Sequence, residues 1–285
     1  MERSPIRPRL QISARDISIL QLVARFGYLR SSYLEAFLGG NPTVLRWRLR
    51  DLFDAEYLER PKQQWQFADA RYVPLVYSLG TQGRQLLETM GTGAQCPVPD
   101  VGNYLHRLLV SEVAASIELG VQTAGYLSLI AQEEIVERMQ ETDHGGPHRL
   151  SFPIGEDQYI IPDAMFGVRG PAGVVLYALE VDRANEPLRR TSAGSSYERK
   201  LRRYDRLIGE GLYKRRLNTP APLVVLHVAV TTARARGMMA LTNALPFHAF
   251  SVAPGTSPFG QITLPQPSIL HGPWRRPGLP DLALA

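Results

Sequence analysis

Apolar residues recur along this chain with two periods, and the change of period divides it. Over the first ninety or so residues the spacing is three to four, as an amphipathic helix requires. The run SARDISILQLVARFGYL (Ser13–Leu29) sets Ile17, Leu20 and Val23 or Ala24 on one face, with Ser13 as N-cap and Asp16 closing a capping box. A second helix is expected from Ser31 or Ser32 to Leu38, stopped by Gly39-Gly40. A third follows Asn41-Pro42, with proline in its favoured first-turn position, and runs through TVLRWRLRDLFDAEYL. Its apolar stripe is Leu45, Leu49, Leu52 and Phe53. The stretch to residue 90 then predicts strand, loop, strand and a closing helix, with Lys62–Arg71 as a wing.

Residues 91–100, GTGAQCPVPD, break the pattern and predict a linker. Beyond it Asn103–Leu119 is helical and unusually apolar, with Leu105, Leu109, Val113, Ser116 and Ile117 facing one way, His106 inside that face and Glu112 at its margin. A short strand at Tyr126–Ile130, a polar helix or loop, a turn at DHGGPHR (143–149) and a strand at Leu150–Ile154 follow. His144 and His148 there have metal-ligand spacing only on a helix, which Gly145-Gly146-Pro147 forbids. Next come two apolar β-rich runs around the turn VRGPAG, the signature of a hairpin centred near Pro171. A basic helix over Ser195–Arg216 turns Tyr197, Leu201, Tyr204 and Leu207 or Ile208 inward. LVVLHVAV (223–230) reads as a strand buried on both faces, followed by a helix at Ala233–Leu245 and a strand at Phe247–Val252. From Pro254 onward prolines recur, which predicts an extended, partly disordered tail carrying Trp274-Arg275-Arg276 as a contact for DNA or a partner. The fold class is thus α/β, with a winged helix-turn-helix over 1–90, a linker over 91–100, a sheet flanked by helices over 101–252 and a tail over 253–285.

Charge sharpens this division. Residues 1–90 hold 13 Lys and Arg against 9 Asp and Glu, leaving 19 against 18 for the rest of a chain whose net charge is +5. The basic excess sits in the first third, which suggests an anionic partner there, although ordinary surface residues give the same bias. A lone cysteine, Cys96, excludes an intramolecular disulfide framework. With no secretory signal and no run near the ~20 apolar residues of a membrane helix, a cytoplasmic protein with no membrane partner is expected.

On the third helix, Thr43, Trp47 and Arg50 lie opposite the buried stripe, with Arg46 beside them. Arginine grips phosphates or guanine edges and tryptophan packs on sugar or backbone. These four, with Lys62 of the wing, are the candidate contacts to double-stranded DNA; protein binding or dimerisation is the alternative use of such a module.

The second candidate site is acidic. Glu180 and Asp182 share one face of a strand, and the hairpin register sets Asp163 opposite residue 179 or 180. Like charges raise one another's pKa and resist burial unless something compensates. A hard divalent ion, Mg²⁺ or Mn²⁺, is one compensator. Alternatively, Asp182 ends its strand and caps the turn towards Arg183 and Asn185, while Glu180 pairs with an arginine of the 199–206 helix.

Pro162-Asp163, a strand ending Glu180-Val181-Asp182 and a helix with Lys200-x-x-x-Tyr204 resemble the PD-(D/E)XK nuclease superfamily. More narrowly they resemble the replication-relaxation family of plasmid and mobile-element proteins, over roughly residues 12–250. The resemblance implies a winged helix ahead of a nuclease-like α/β domain, acting in replication, relaxation or mobilisation of an element's DNA. It implies metal ligands at Asp163, Glu180 and Asp182 and a catalytic set of Asp163, Glu180, Asp182 and Lys200 in a Mg²⁺- or Mn²⁺-dependent nickase or endonuclease. The superfamily's lysine falls at position 182, where this chain has Asp182. That departure favours an inactive nuclease fold serving as a sequence-specific regulator or relaxosome accessory factor. In either case Lys200 is the cation within reach, and Glu112 or His106 the extra group a first core helix can add. Other relaxation or replication proteins and a second copy of the chain are further partner options.

Overall fold

The computed structural model describes residues 10–67, 70–92, 103–139, 150–155, 158–189, 196–242, 245–255 and 262–284. Cys96, His144 and His148 lie outside them. The chain divides into two compact units, one of residues up to Ala115 with Gly255–Pro265, the other of Ser116–Pro254 with Gln266–Ala285.

The first unit begins with α1 (Ala14–Phe26), whose capping box forms as expected: Asp16 N–H donates to Ser13 Oγ, and Ser13 N–H to Asp16 Oδ2. The helix is shorter than its apolar pattern suggests. Gly27 adopts φ 76, which ends it, and Leu29–Arg30 becomes strand β1. Helices α2 (Ser31–Leu38) and α3 (Pro42–Asp54) follow, the latter capped by the Asn41 side chain. Strands β2 (Leu58–Glu59) and β3 (Val76–Leu79) complete an antiparallel sheet of order β1-β3-β2, and α4 (Thr81–Thr89) closes the run.

Lys62–Gln66 forms a 3-10 turn, held by Gln64, whose amide nitrogen donates to the Pro61 and Val76 carbonyls while its oxygen accepts from Val76 N–H. A buried glutamine that meets backbone groups on both sides outcompetes a ladder there.

Two ion pairs fix this unit. Arg48 of α3 grips Asp16 of α1 through Nε and Nη2 at 2.7 and 2.6 Å. Arg30 of β1 donates from Nε to Glu112 at 2.6 Å, in helix α5 (Tyr104–Ala124), and the other oxygen of Glu112 accepts from Ile262 N–H. Glu112 therefore belongs to the core of the first unit, not to the acidic patch. Its carboxyl is pushed up to about 7 by burial, against the opposing charge of Arg30. His106 is half-buried rather than part of the core.

The second unit is built on a seven-stranded sheet of order β12-β11-β10-β9-β8-β7-β4. It contains the hairpin β7 (Ala164–Gly170) and β8 (Gly173–Asp182), in the register Ala164↔Leu179 to Gly170↔Gly173. Strand β4 (Ser128–Ile130) pairs with β7, and α6 (Gln132–Glu137) follows β4. Strands β9 (Leu223–Ala229) and β10 (His248–Val252) run parallel to β8, as apolar runs covered on both faces do.

The crossovers are helices α7 (Tyr197–Gly209) and α8 (Leu212–Leu217), then α9 (Thr232–Met239). The single helix expected over 195–216 breaks at Gly211, which takes a left-handed φ of 64. A separate hairpin, β5 (Phe152–Gly155) and β6 (Gln158–Ile160), packs Phe152, Ile154 and Ile160 with Leu176 and Ala178 of β8 and Tyr204 and Leu207 of α7.

The proline-rich end is the clearest correction. It is no loose tail: Trp274 is fully buried, its Nε1–H donates to the Ile269 carbonyl, and β11 (Trp274–Arg276) and β12 (Leu279–Leu282) extend the sheet beyond β10. Pro280 is tolerated because β12, which holds it, is an edge strand.

Glu112→Ala removes the carboxylate from an arginine side chain only 1% exposed. The expected cost is about 3–5 kcal/mol of unfolding free energy in urea titration, with Glu112→Gln losing less. A cost under ~1 kcal/mol, the range of a surface pair, would show that Arg30 finds other compensation.

Candidate functional site

Strand alternation places Glu180 and Asp182 on the face of β8 that α7 covers, together with Leu176 and Ala178. Glu180 is only 2% exposed. Lys200 Nζ donates to its Oε2 at 2.7 Å and Tyr204 Oη to its Oε1 at 2.5 Å. These two donors are one turn apart on α7, so both reach back to one carboxylate, as their spacing predicts.

Asp163 stands just before β7. Its N–H donates to the Leu179 carbonyl and its Oδ2 accepts from Val181 N–H at 2.8 Å, so it extends the hairpin ladder beside Glu180. Burial pushes the Glu180 carboxyl up to about 7; the Lys200 charge opposes this and the Asp163 charge adds to it. Burial acts to lower the Lys200 pKa, but Glu180 and Asp163 outweigh it and hold the ammonium above its ordinary value.

Asp182 goes elsewhere. Arg234 of α9 binds it with Nε on Oδ1 and Nη2 on Oδ2, both at 2.8 Å, and Ala184 N–H donates to Oδ1 at 2.6 Å. Asp182 thus caps the turn after β8 and is neutralised by a planar fork.

Both oxygens of Glu180, both of Asp182 and one of Asp163 already accept hydrogen bonds, and two cations of the chain sit on them. Among the described residues no group of three or more His, Cys, Asp or Glu side chains is arranged to hold a metal ion. Glu180 and Asp182 are thus compensated by cations of the chain itself. The fold brings together Asp163, Glu180 and Lys200; it sends Asp182 to α9.

Beside this patch runs a buried polar chain that the sequence reading passed over. Tyr197 Oη meets His227 Nδ1, His227 Nε2 meets His248 Nδ1 at 2.9 Å, and His248 Nε2 meets Asp205 Oδ1 at 2.8 Å. With both imidazoles neutral, one assignment satisfies every contact: Tyr197 donates to His227, His227 to His248, and His248 to the carboxylate. Phe250 stacks on His227 at 4.7 Å between ring centres. Burial holds the His227 pKa well below its ordinary value, with the charges of His248 and Lys200 acting the same way. A histidine inside LVVLHVAV is the signal that could have found this chain, since an apolar strand does not bury an imidazole without partners. Arg234 left no such signal.

In the first unit, Thr43, Arg46, Trp47 and Arg50 are all exposed on α3, and Lys62 is exposed on the 3-10 turn. Val44 joins them at 57% exposure. Arg46 Nε meets Glu35 at 3.0 Å and Arg50 lies 3.7 Å from Asp54. Such solvent-exposed pairs hold little energy.

The low pKa of His227 has a consequence for stability. Below about 6.5 the unfolded chain takes up a proton that folded His227 refuses, so stability falls as pH drops through that range. His227→Gln keeps an acceptor for Tyr197 and a donor for His248 but does not titrate. It is expected to cost stability near neutrality yet lose less on going from about pH 7 to about pH 5. Urea titrations across that range test this; parallel profiles for both proteins would exclude His227 as the titrating group.

No curated protein and no solved structure matches the chain. The sequence model described as replication-relaxation matches residues 20–221, a span that holds α2, α3, the β7–β8 hairpin with its acidic residues, and α7. This protein belongs to the replication-relaxation family.

Proposed function

We propose that this protein binds double-stranded DNA of a plasmid or integrative element and acts there in replication, relaxation or mobilisation, as a regulator or accessory factor. The carrying observation is the outer face of α3. Its apolar stripe packs inward and Arg48 is committed to Asp16, while Thr43, Arg46, Trp47 and Arg50 stay exposed together. The order α1-β1-α2-α3-β2-β3 with sheet order β1-β3-β2 supports a winged-helix reading. In that plan the third helix enters the major groove and Lys62 follows the adjoining backbone. The sheet of the second unit, with Asp163 and Glu180 at the hairpin and Lys200 on the next helix, supports a PD-(D/E)XK-like core. Its acidic residues are read as structural, because the chain supplies their counter-charges.

Duplex binding by the full chain is expected to weaken steeply with salt, each phosphate contact adding about 0.9 to the slope of log affinity against log salt. Replacing Arg46 and Arg50 together by Ala should remove most of the affinity in fluorescence anisotropy and flatten that slope. Unchanged binding would reject the α3 assignment.

Cleavage is the second reading, favoured by the meeting of Asp163, Glu180 and Lys200. The two readings part in one assay. Supercoiled plasmid incubated with the protein and Mg²⁺ or Mn²⁺ is expected to stay supercoiled. Nicking that disappears in both Asp163→Asn and Lys200→Ala would establish a nuclease instead.

A further inference from the structure

The helical stretch Ser195–Arg216 holds 8 of the 19 Lys and Arg beyond residue 90 but only 3 of the 18 Asp and Glu, which leaves 11 against 15 elsewhere in that part of the chain. Positive charge is thus gathered on α7 and α8 against an otherwise acidic remainder. A merely solvated surface gains nothing from such gathering, since like charges one turn apart on a helix, as at Arg202 and Arg206, repel.

The fold turns these cations to one side. Tyr197, Leu201, Tyr204 and Leu207 form the buried stripe of α7, and Arg202, Arg203 and Arg206 lie opposite it, all exposed. Tyr213 and Leu217 of α8 enter the same core as Tyr204 and Leu207, and both helices pack on β5. Their outer faces therefore belong to one layer, where Lys214 and Arg215 are exposed as well.

The acids of this layer are outnumbered. Glu198 serves two arginines, Arg202 at 3.2 Å and Arg189 at 3.6 Å, and Glu210 meets Arg206 at 3.0 Å. Asp205, the third, is turned to His248. Surface pairs of this kind hold little energy, so Arg202 and Arg206 can turn to a stronger anion. Arg203, Lys214 and Arg215 make no ion pair among the described residues.

What the face lacks narrows the partner. The three tyrosines of the helix pair, Tyr197, Tyr204 and Tyr213, are all buried, so it offers no ring on which an unpaired base could stack. None of the large apolar side chains exposed among the described residues lies on α7 or α8. The face thus has neither the apolar anchors of a membrane-surface helix nor the apolar core of a protein interface. Arginine and lysine alone, spread over two adjoining helices, suit an array of phosphates.

We infer that the outer face of α7 and α8 is a second contact surface for duplex DNA, one that grips the phosphate backbone without reading sequence. It rests on the reading of the protein as a duplex binder but not on the assignment of α3.

The test follows binding of the full chain to a random-sequence duplex by fluorescence anisotropy over a range of salt. The combined change Arg203→Gln, Lys214→Gln and Arg215→Gln is expected to weaken binding about tenfold at low salt. It should also lower the slope of log affinity against log salt by up to about 2.7, at about 0.9 per lost phosphate contact. A control protein carries Arg138→Gln, Arg169→Gln and Arg236→Gln, at exposed positions of the second unit; it loses the same net charge and is expected to keep the original slope. Thermal midpoints of both triple variants check that the fold persists. The protein with Ala at Arg46 and Arg50 separates this surface from α3. If it binds as before while the first triple variant loses slope, the α3 assignment falls and this inference stands. If it loses binding while the first triple variant keeps both affinity and slope, α3 stands and this inference is overturned. Equal losses in the two triple variants would overturn it as well, leaving only an effect of net charge. So would losses confined to oligothymidine or to phosphatidylserine vesicles, which would move the face to another class of partner.

Discussion

A carboxylate inside an apolar sheet sets the terms for the second unit. Glu180 lies on β8, an inner strand of the seven, with almost no water, and an uncompensated charge there costs several kcal/mol. Lys200 and Tyr204 answer it from α7, one on each oxygen. Because they stand one turn apart, satisfying both fixes the rotation of the helix about its axis. The rest of α7 then has its roles assigned. Leu201 and Leu207 go to the core, Tyr197 meets His227, and Arg199 and Arg203 line a cleft with Tyr159 and Lys200. The same rule fixes α9, where Arg234 neutralises Asp182 and donates onward to the Glu186 carbonyl.

The first unit uses charge in the same way with different residues. Asp16 is nearly buried at the start of α1, and the Arg48 and Ser13 hydrogen bonds hold its carboxyl below the ordinary range despite burial. Arg48 is the only cation of α3 in that bond; Arg46 and Arg50, two residues to either side, are thereby kept on the outer surface. A helix with three arginines at alternate positions spends the middle one on packing and keeps the others at the surface.

Much of this was legible in the sequence because it rests on local rules. The capping box at Ser13, the proline start of α3, its apolar stripe and the hairpin turn at Pro171 all depend on neighbours within a few residues. That Lys200 and Tyr204 reach back together towards the acidic strand was legible from their spacing on one helix turn; that Lys200, rather than an arginine of that helix, takes Glu180 was not. What failed depended on distant partners. Nothing near Arg234 in sequence says that it meets Asp182, 52 residues away. The end of the chain looked unstructured because proline signals loops, yet Trp274 buries its ring fully and two more strands join the sheet there. The break at Gly211 and the 3-10 turn at Lys62 turned on a single glycine conformation and a single glutamine.

The acidic triad shows why spacing alone misjudges such a site. Asp163 and Glu180 do approach one another, Asp182 follows two residues further along β8, and buried like charges do need cations; that much follows from register and electrostatics. Which cation is a separate matter, decided by residues 20 and 52 positions further along. A lysine and an arginine fixed by packing hold their carboxylates at no translational cost, whereas a free ion must be captured from solution and stripped of water. The internal cations therefore have the advantage wherever the fold delivers them. The two are not equivalent, however. Arg234 is 11% exposed and its bidentate pair with Asp182 is closed, while the Lys200 side chain is 35% exposed and opens on the cleft.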